Sequence, residues 1–182
     1  MPDPTTSSRP SKPANPAAKQ VFRTTIHGSI EDVWQEITRT DRPIPCFFNM
    51  RMHVQGLRPG SPFRMRSPDG TYTGIVGDIL ECDPPRRFAH TFRFTQFDDP
   101  PCRVIYDLKE VGDHVEFTLT LEDLPLGTKT AKQMAQGSQL IVDTLKATIE
   151  GTKPPFMMRF IHFMSKWMQP LTPKRCLTSK WP

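Results

Sequence analysis

The chain has 182 residues, enough for one domain with a sizeable core plus tails, and 36% hydrophobic against 24% charged residues is a globular balance. The net charge of +5 sits at the ends: residues 153–182 carry Lys153, Arg159, Lys166, Lys174, Arg175 and Lys180 with no acid, so the middle is mildly acidic and a nucleic-acid face is not expected. Cys46, Cys82, Cys102 and Cys176 are too scattered for a zinc site, residues 1–20 lack the apolar region of a signal peptide, and no apolar run approaches the ~20 residues of a spanning helix. Reduced thiols in a cytoplasmic protein are the expectation, with no metal and no cofactor, since Walker and dinucleotide glycine patterns are missing too.

Residues 1–18, made mostly of Pro, Ser, Thr, Ala and Lys, read as a disordered leader. Lys19 to Ile26 reads as a strand, and Ser29 as the cap of a helix whose apolar stripe is Val33, Trp34 and Ile37. Pro43 and Pro45 break the stretch 41–48 into a second short helix or loop. The turns R-P-G at 58–60 and D-G at 69–70 bracket a strand with Phe63 and Met65 on one side. Thr71 to Cys82 is a second strand, with Gly74 and Gly77 placed for a bulge or strong bend, and D-P-P at 83–85 ends it. Phe88, His90, Phe92 and Phe94 then share one face of a strand, Val104, Tyr106 and Leu108 one face of the next, and Val115, Phe117, Leu119 and Leu121 one face of the last. A long helix over 128–150 follows, with Met134, Ile141, Leu145 and Thr148 on one stripe, widened by Val142 and Ile149.

Such a pattern is an antiparallel meander with one wet and one apolar face. The apolar face must be covered, and the long C-terminal helix is the large element available. A sheet bent around a single helix tends to leave space between them, suited to an apolar ligand. Asp107, Glu116 and Glu122 alternate to the outside, so His90 and Tyr106 are the only polar pair expected within the cup. Cys46 and Cys102 read as ordinary buried thiols, and Ser138 lacks a nucleophile-elbow context.

Beyond the long helix, Phe156 to Gln169 reads F-M-M-R-F-I-H-F-M-S-K-W-M-Q, an amphipathic basic helix with Arg159, His162, Lys166 and Gln169 on one face. Packing on its own domain is the expected role. An anionic membrane surface, a partner groove, a neighbouring subunit and the mouth of the cavity are the alternatives. Pro170 and Pro173 end this helix, and the last ten residues read as irregular.

Four segments together resemble the SRPBCC (START-like) superfamily, and within it homologues of the activator of heat-shock-protein-90 ATPase. They are V-F-R-T-T-I at 21–26 with S-I-E-D-V-W at 29–34; R-P-G, D-G and G-I-V-G-D-I-L-E-C-D-P-P-R-R-F up to residue 88; V-I-Y-D-L-K-E-V-G-D-H-V-E-F-T-L-T at 104–120; and L-K-A-T-I-E-G at 145–151. The resemblance implies an α+β helix-grip fold over residues 19–152, a curved antiparallel sheet wrapped around the C-terminal helix, with 153–182 as an extension. It also implies a hydrophobic cavity binding a lipid-like or aromatic small molecule. The side chains expected to hold that ligand are Phe47, Phe48, Phe63, Met65, His90, Phe92 and Phe94 from the strands and their connections. Tyr106, Phe117, Met134, Ser138, Ile141 and Leu145 complete the set. The family usually has G-W early in the last helix where this chain has Gly137–Ser138, and the loss of that indole predicts altered packing or a larger cavity. No catalytic set is assigned; a polyketide cyclase or aromatase-like enzyme using His90 and Tyr106, and a chaperone-cofactor role, are the alternatives that the resemblance leaves open.

Overall fold

The computed structural model describes residues 18–168 and 171–182. Residues 1–17 of the leader expected over 1–18, Gln169 and the side chain of Lys166 lie outside that description, and Ala18 belongs to the first strand. Strand β1 (Ala18–His27) alternates between half-buried and exposed positions up to the fully buried Ile26, the signature of an edge strand with one inward face. Ser29 then caps α1 (Ile30–Thr38): its Oγ accepts the Asp32 N–H at 3.0 Å, satisfying one of the donors that a first helical turn leaves unpaired. Val33, Trp34 and Ile37 are buried, as their spacing predicts. The prolines of 41–48 leave only a short 3-10 turn, Pro45–Phe47, closed by Phe48 and Asn49 at positive φ.

Six more strands follow: β2 (Arg51–Val54), β3 (Pro62–Arg66), β4 (Thr73–Asp83), β5 (Arg87–Phe94), β6 (Cys102–Val111) and β7 (His114–Leu124). All neighbours pair antiparallel in the order β1-β7-β6-β5-β4-β3-β2. The short β2 is an addition to the sequence reading; of its four residues only Met52 is buried, too little alternation to announce a strand. The β3–β4 register slips next to Gly74, as a bulge there requires. At Gly77 a Cβ would stand 1.9 Å from the Thr91 carbonyl oxygen, so only glycine lets β4 press this closely on β5 and the sheet curl.

Helix α2 (Lys129–Ile149) starts at Thr128, whose Oγ1 accepts from the Ala131 N–H at 3.2 Å. Its buried stripe runs through Met134, Ser138, Val142 and Leu145. That stripe is rotated from the expected one: Val142 is central rather than flanking, and Thr148 is half-buried, bonded to Thr144 O at 2.8 Å. The C-terminal half of α2 packs on β1, and there the core is filled by Ile26, Val33, Ile37, Phe117, Val142 and Leu145. Helix α3 (Phe156–Met168) follows. The last residues, expected to be irregular, form two 3-10 turns that dock on the sheet: Leu177 bridges Tyr72, Thr178 N donates to Thr71 O at 3.0 Å, Arg175 pairs with Asp98, and Arg93 lies over the Trp181 ring.

Candidate functional site

Where the N-terminal half of α2 stands over the curled strands, side chains do not fill the interior. A cavity of about 540 Å³ lies there, within the range of small-molecule sites. The alternation of β5 sends Phe92, Phe94 and His90 into it; β3 contributes Phe63 and Met65, β6 Val104 and Tyr106, and β7 Leu119 and Leu121. The turn Pro45–Phe47 brings Phe47 and the following Phe48 against α2, which supplies Met134, Ser138 and Ile141. At Gly137 a Cβ would meet the Phe48 ring at 3.3 Å, so the Gly–Ser pair of α2 sits where a larger side chain would occupy cavity space.

Eleven of the thirteen residues expected around a ligand line this cavity. Phe117 and Leu145 do not, and the expectation for them is corrected: both are fully buried in the solid part of the core. Phe117 pairs with Leu108 and with Thr24, one full inward position beyond Leu119 toward the packed end, and Leu145 lies a turn beyond Ile141 in the same direction. Val104, Leu119 and Leu121 were legible as inward residues but not as wall residues. Met50, Ile75, Gln133, Gln136 and Leu140 complete the wall together with Met157 and Ile161 of α3.

Helix α3 thus helps to form the cavity wall. Met158 is fully buried and His162 Nε2 donates to Pro45 O at 3.1 Å, which ties the helix to the turn carrying Phe47. Other side chains of the helix face outward. Phe156, Phe160 and Phe163 are 76%, 49% and 71% exposed and form an outward stripe, with Phe156 and Phe160 stacked. Arg159, expected to share a polar face with His162, is exposed while His162 turns to the domain. A helix apolar on nearly every side can bury only one of them.

Polar chemistry within the cavity is sparse. His90 is 2% and Tyr106 5% exposed. Burial pushes the His90 pKa down to about 4 against a smaller opposing effect of its bond with Thr91, and burial pushes the Tyr106 phenol well up. Both are neutral at pH 7. Among the described residues no carboxylate lines the cavity. Asp107 pairs with Arg87, Glu116 with Lys109, and Glu122 with Lys19 and Arg103, all on the outer side. Burial also raises the thiols of Cys46 and Cys102, the latter to about 11, so neither is a thiolate nucleophile at neutral pH. No helix among the described residues is long and apolar enough to cross a membrane.

Residues 27–150 match the family model described as "Activator of Hsp90 ATPase homolog 1-like protein". Among solved structures, the chain is similar to CalU16 from Micromonospora echinospora, at 24% identity over 90% of this chain and 93% of that one, with a TM-score of 0.56. An HSP90 activator from Plasmodium falciparum is 14% identical over 74% of this chain and 97% of that one, with a TM-score of 0.59. The Aha1 dimer from Colwellia psychrerythraea is 15% identical over 73% of this chain and 96% of that one, with a TM-score of 0.56. These likenesses concern the fold. No curated protein matches the chain.

Proposed function

This chain belongs to the family of Activator of Hsp90 ATPase homolog 1-like proteins, and on that premise we propose that it holds a hydrophobic small molecule, lipid-like or aromatic, between its sheet and α2. One observation carries the reading: about 540 Å³ of space walled mainly by Phe, Met, Leu, Ile and Val side chains. Protein interiors otherwise close-pack, and unfilled apolar volume is destabilising in proportion to its size. A bound apolar molecule recovers those contacts. An acid–base enzyme would need a carboxylate beside His90 and Tyr106, and Asp107, Glu116 and Glu122 are committed to outward ion pairs. Holding a ligand therefore suits the cavity better than turning it over. Four unpaired thiols fit a reducing, cytoplasmic setting.

The test is binding of an apolar fluorophore, N-phenyl-1-naphthylamine, by the full chain, with native mass spectrometry of protein from its own source to weigh any resident molecule. Ser138 lines the cavity and is 1% exposed. Ser138→Trp is expected to put an indole into that space and weaken the fluorophore at least about tenfold, with the fold retained by circular dichroism. A wild-type chain that takes up no apolar probe, or a folded S138W that binds as well as wild type, removes the reading.

A second reading concerns α3. Its outward Phe156, Phe160 and Phe163 lie beside exposed Arg159 and close to exposed Lys153, neither of which has an ion-pair partner among the described residues. Aromatic side chains flanked by cations are the composition of a helix lying on an anionic membrane surface. Contact with such a surface, at the helix that also walls the cavity, would suit the loading of an apolar ligand.

A further inference from the structure

Three buried polar side chains on the cavity wall keep bonding capacity that the described residues leave unused: Ser138 on α2, and the neighbouring pair His90 and Tyr106. His90 Nδ1 lies 2.8 Å from the Thr91 carbonyl oxygen. A carbonyl only accepts, so Nδ1 carries the proton. With the imidazole neutral at pH 7, as burial dictates, Nε2 is then a bare lone pair. Among the described residues Nε2 makes no hydrogen bond, and neither does the Tyr106 hydroxyl. Neither atom is sealed within protein, and both residues line the cavity. Their rings are neighbours, 5.9 Å apart between centroids. Phe63 stacks on His90 at 4.1 Å and Phe88 on Tyr106 at 6.0 Å, which fixes both rings in orientation.

An unpaired acceptor on the cavity wall selects for a donor, because a ligand that covers it without pairing it forfeits the hydration that the open cavity allowed it. Building on the ligand-holding reading above, we propose that the cavity selects an aromatic molecule bearing a hydroxyl group, whose O–H donates to His90 Nε2 and whose oxygen accepts from the Tyr106 O–H. A hydroxyl does both at once. An ether, ester or ketone oxygen only accepts, and leaves Nε2 unpaired. An ammonium group would donate but would have to shed its hydration among phenylalanines. The aromatic body follows from the wall beside this pair, where Phe47, Phe63 and Phe92 offer ring faces and edges.

The experiment is a calorimetric titration of the full chain with naphthalene, 2-methoxynaphthalene and 2-naphthol at pH 7. All three are expected to bind, with 2-naphthol about fivefold to tenfold tighter than its methyl ether. His90→Phe should bring 2-naphthol to within about twofold of naphthalene. Tyr106→Phe removes one oxygen only; it serves as the second variant should His90→Phe fail to fold, and is expected to lose part of the preference. Equal affinity for 2-naphthol and 2-methoxynaphthalene in the wild type overturns this inference and leaves the ligand-holding reading standing. A hydroxyl preference that survives His90→Phe, or that Tyr106→Phe leaves undiminished where that variant stands in, overturns it too. Failure of all three compounds to bind removes the ligand-holding reading and this inference with it.

Discussion

An imidazole at position 90 is costlier than a phenyl ring would be, and the cost depends on pH. Packed among Phe63, Phe88, Phe92 and Tyr106, the His90 ring is held neutral, its pKa lowered by burial from 6.5 to about 4. The unfolded chain takes up this proton first as pH falls, so the folded state loses stability between 6.5 and 4 and keeps all of it above 6.5. The loss by pH 4 is on the order of 3 kcal/mol. Urea denaturation at pH 7 and pH 4 should therefore show a fall in the wild type larger by about that amount than in His90→Phe, and parallel profiles would refute the buried neutral ring. That His90 and Tyr106 point inward was legible from two-residue alternation along β5 and β6. Which nitrogen is protonated was not, because it depends on how the ring turns toward the Thr91 carbonyl. Phe117 and Leu145 show the same limit in another form. Alternation gives the face of a strand and the stripe of a helix, but the depth at which a packed core gives way to a cavity is set by how two elements diverge.

Helices and strands with one apolar side were located, although the buried stripe of α2 is rotated from the expected one; the facing of a helix apolar all round, and the existence of a strand with a single buried residue, were not legible. Strand β2 has one buried residue in four and left no pattern to find. Helix α3 has the opposite difficulty: Phe, Met and Ile surround it, so its period announces a helix but not which side meets the domain. The structure buries Met158, sets Ile161 and the largely exposed Met157 at the cavity's edge, and leaves Phe156, Phe160 and Phe163 outside. If those rings meet a membrane, replacing all three by Ser should abolish flotation of the full chain with vesicles of three parts phosphatidylcholine to one part phosphatidylserine. Raising the salt concentration should weaken wild-type flotation, since cations contribute about 1 kcal/mol each near an anionic surface. Unchanged flotation of the triple variant ends the membrane reading. A self-association in sedimentation that the same substitutions remove would assign the stripe to a second copy of the chain.

The same elements that build the core also wall the cavity. Helix α2 packs solidly on β1 through its C-terminal half and stands clear of the curled strands over its N-terminal half. Gly137 and Ser138 fall at the level where it stands clear, so small side chains border the cavity there. Because no separate layer shields the cavity from the fold, occupancy and global stability are linked. A ligand at a hundred times its Kd, bound only by the folded chain, adds about 2.7 kcal/mol. For a chain of this length that corresponds to a rise in melting temperature of roughly 5–10 °C. Differential scanning calorimetry with saturating 2-naphthol should show the rise in the wild type. It should show almost none in Ser138→Trp, whose own transition is expected no lower than that of the unliganded wild type because the indole fills the same volume. A saturating ligand that leaves the wild-type transition in place would be bound to the unfolded chain as strongly as to the folded one, which a cavity that exists only in the folded chain does not permit.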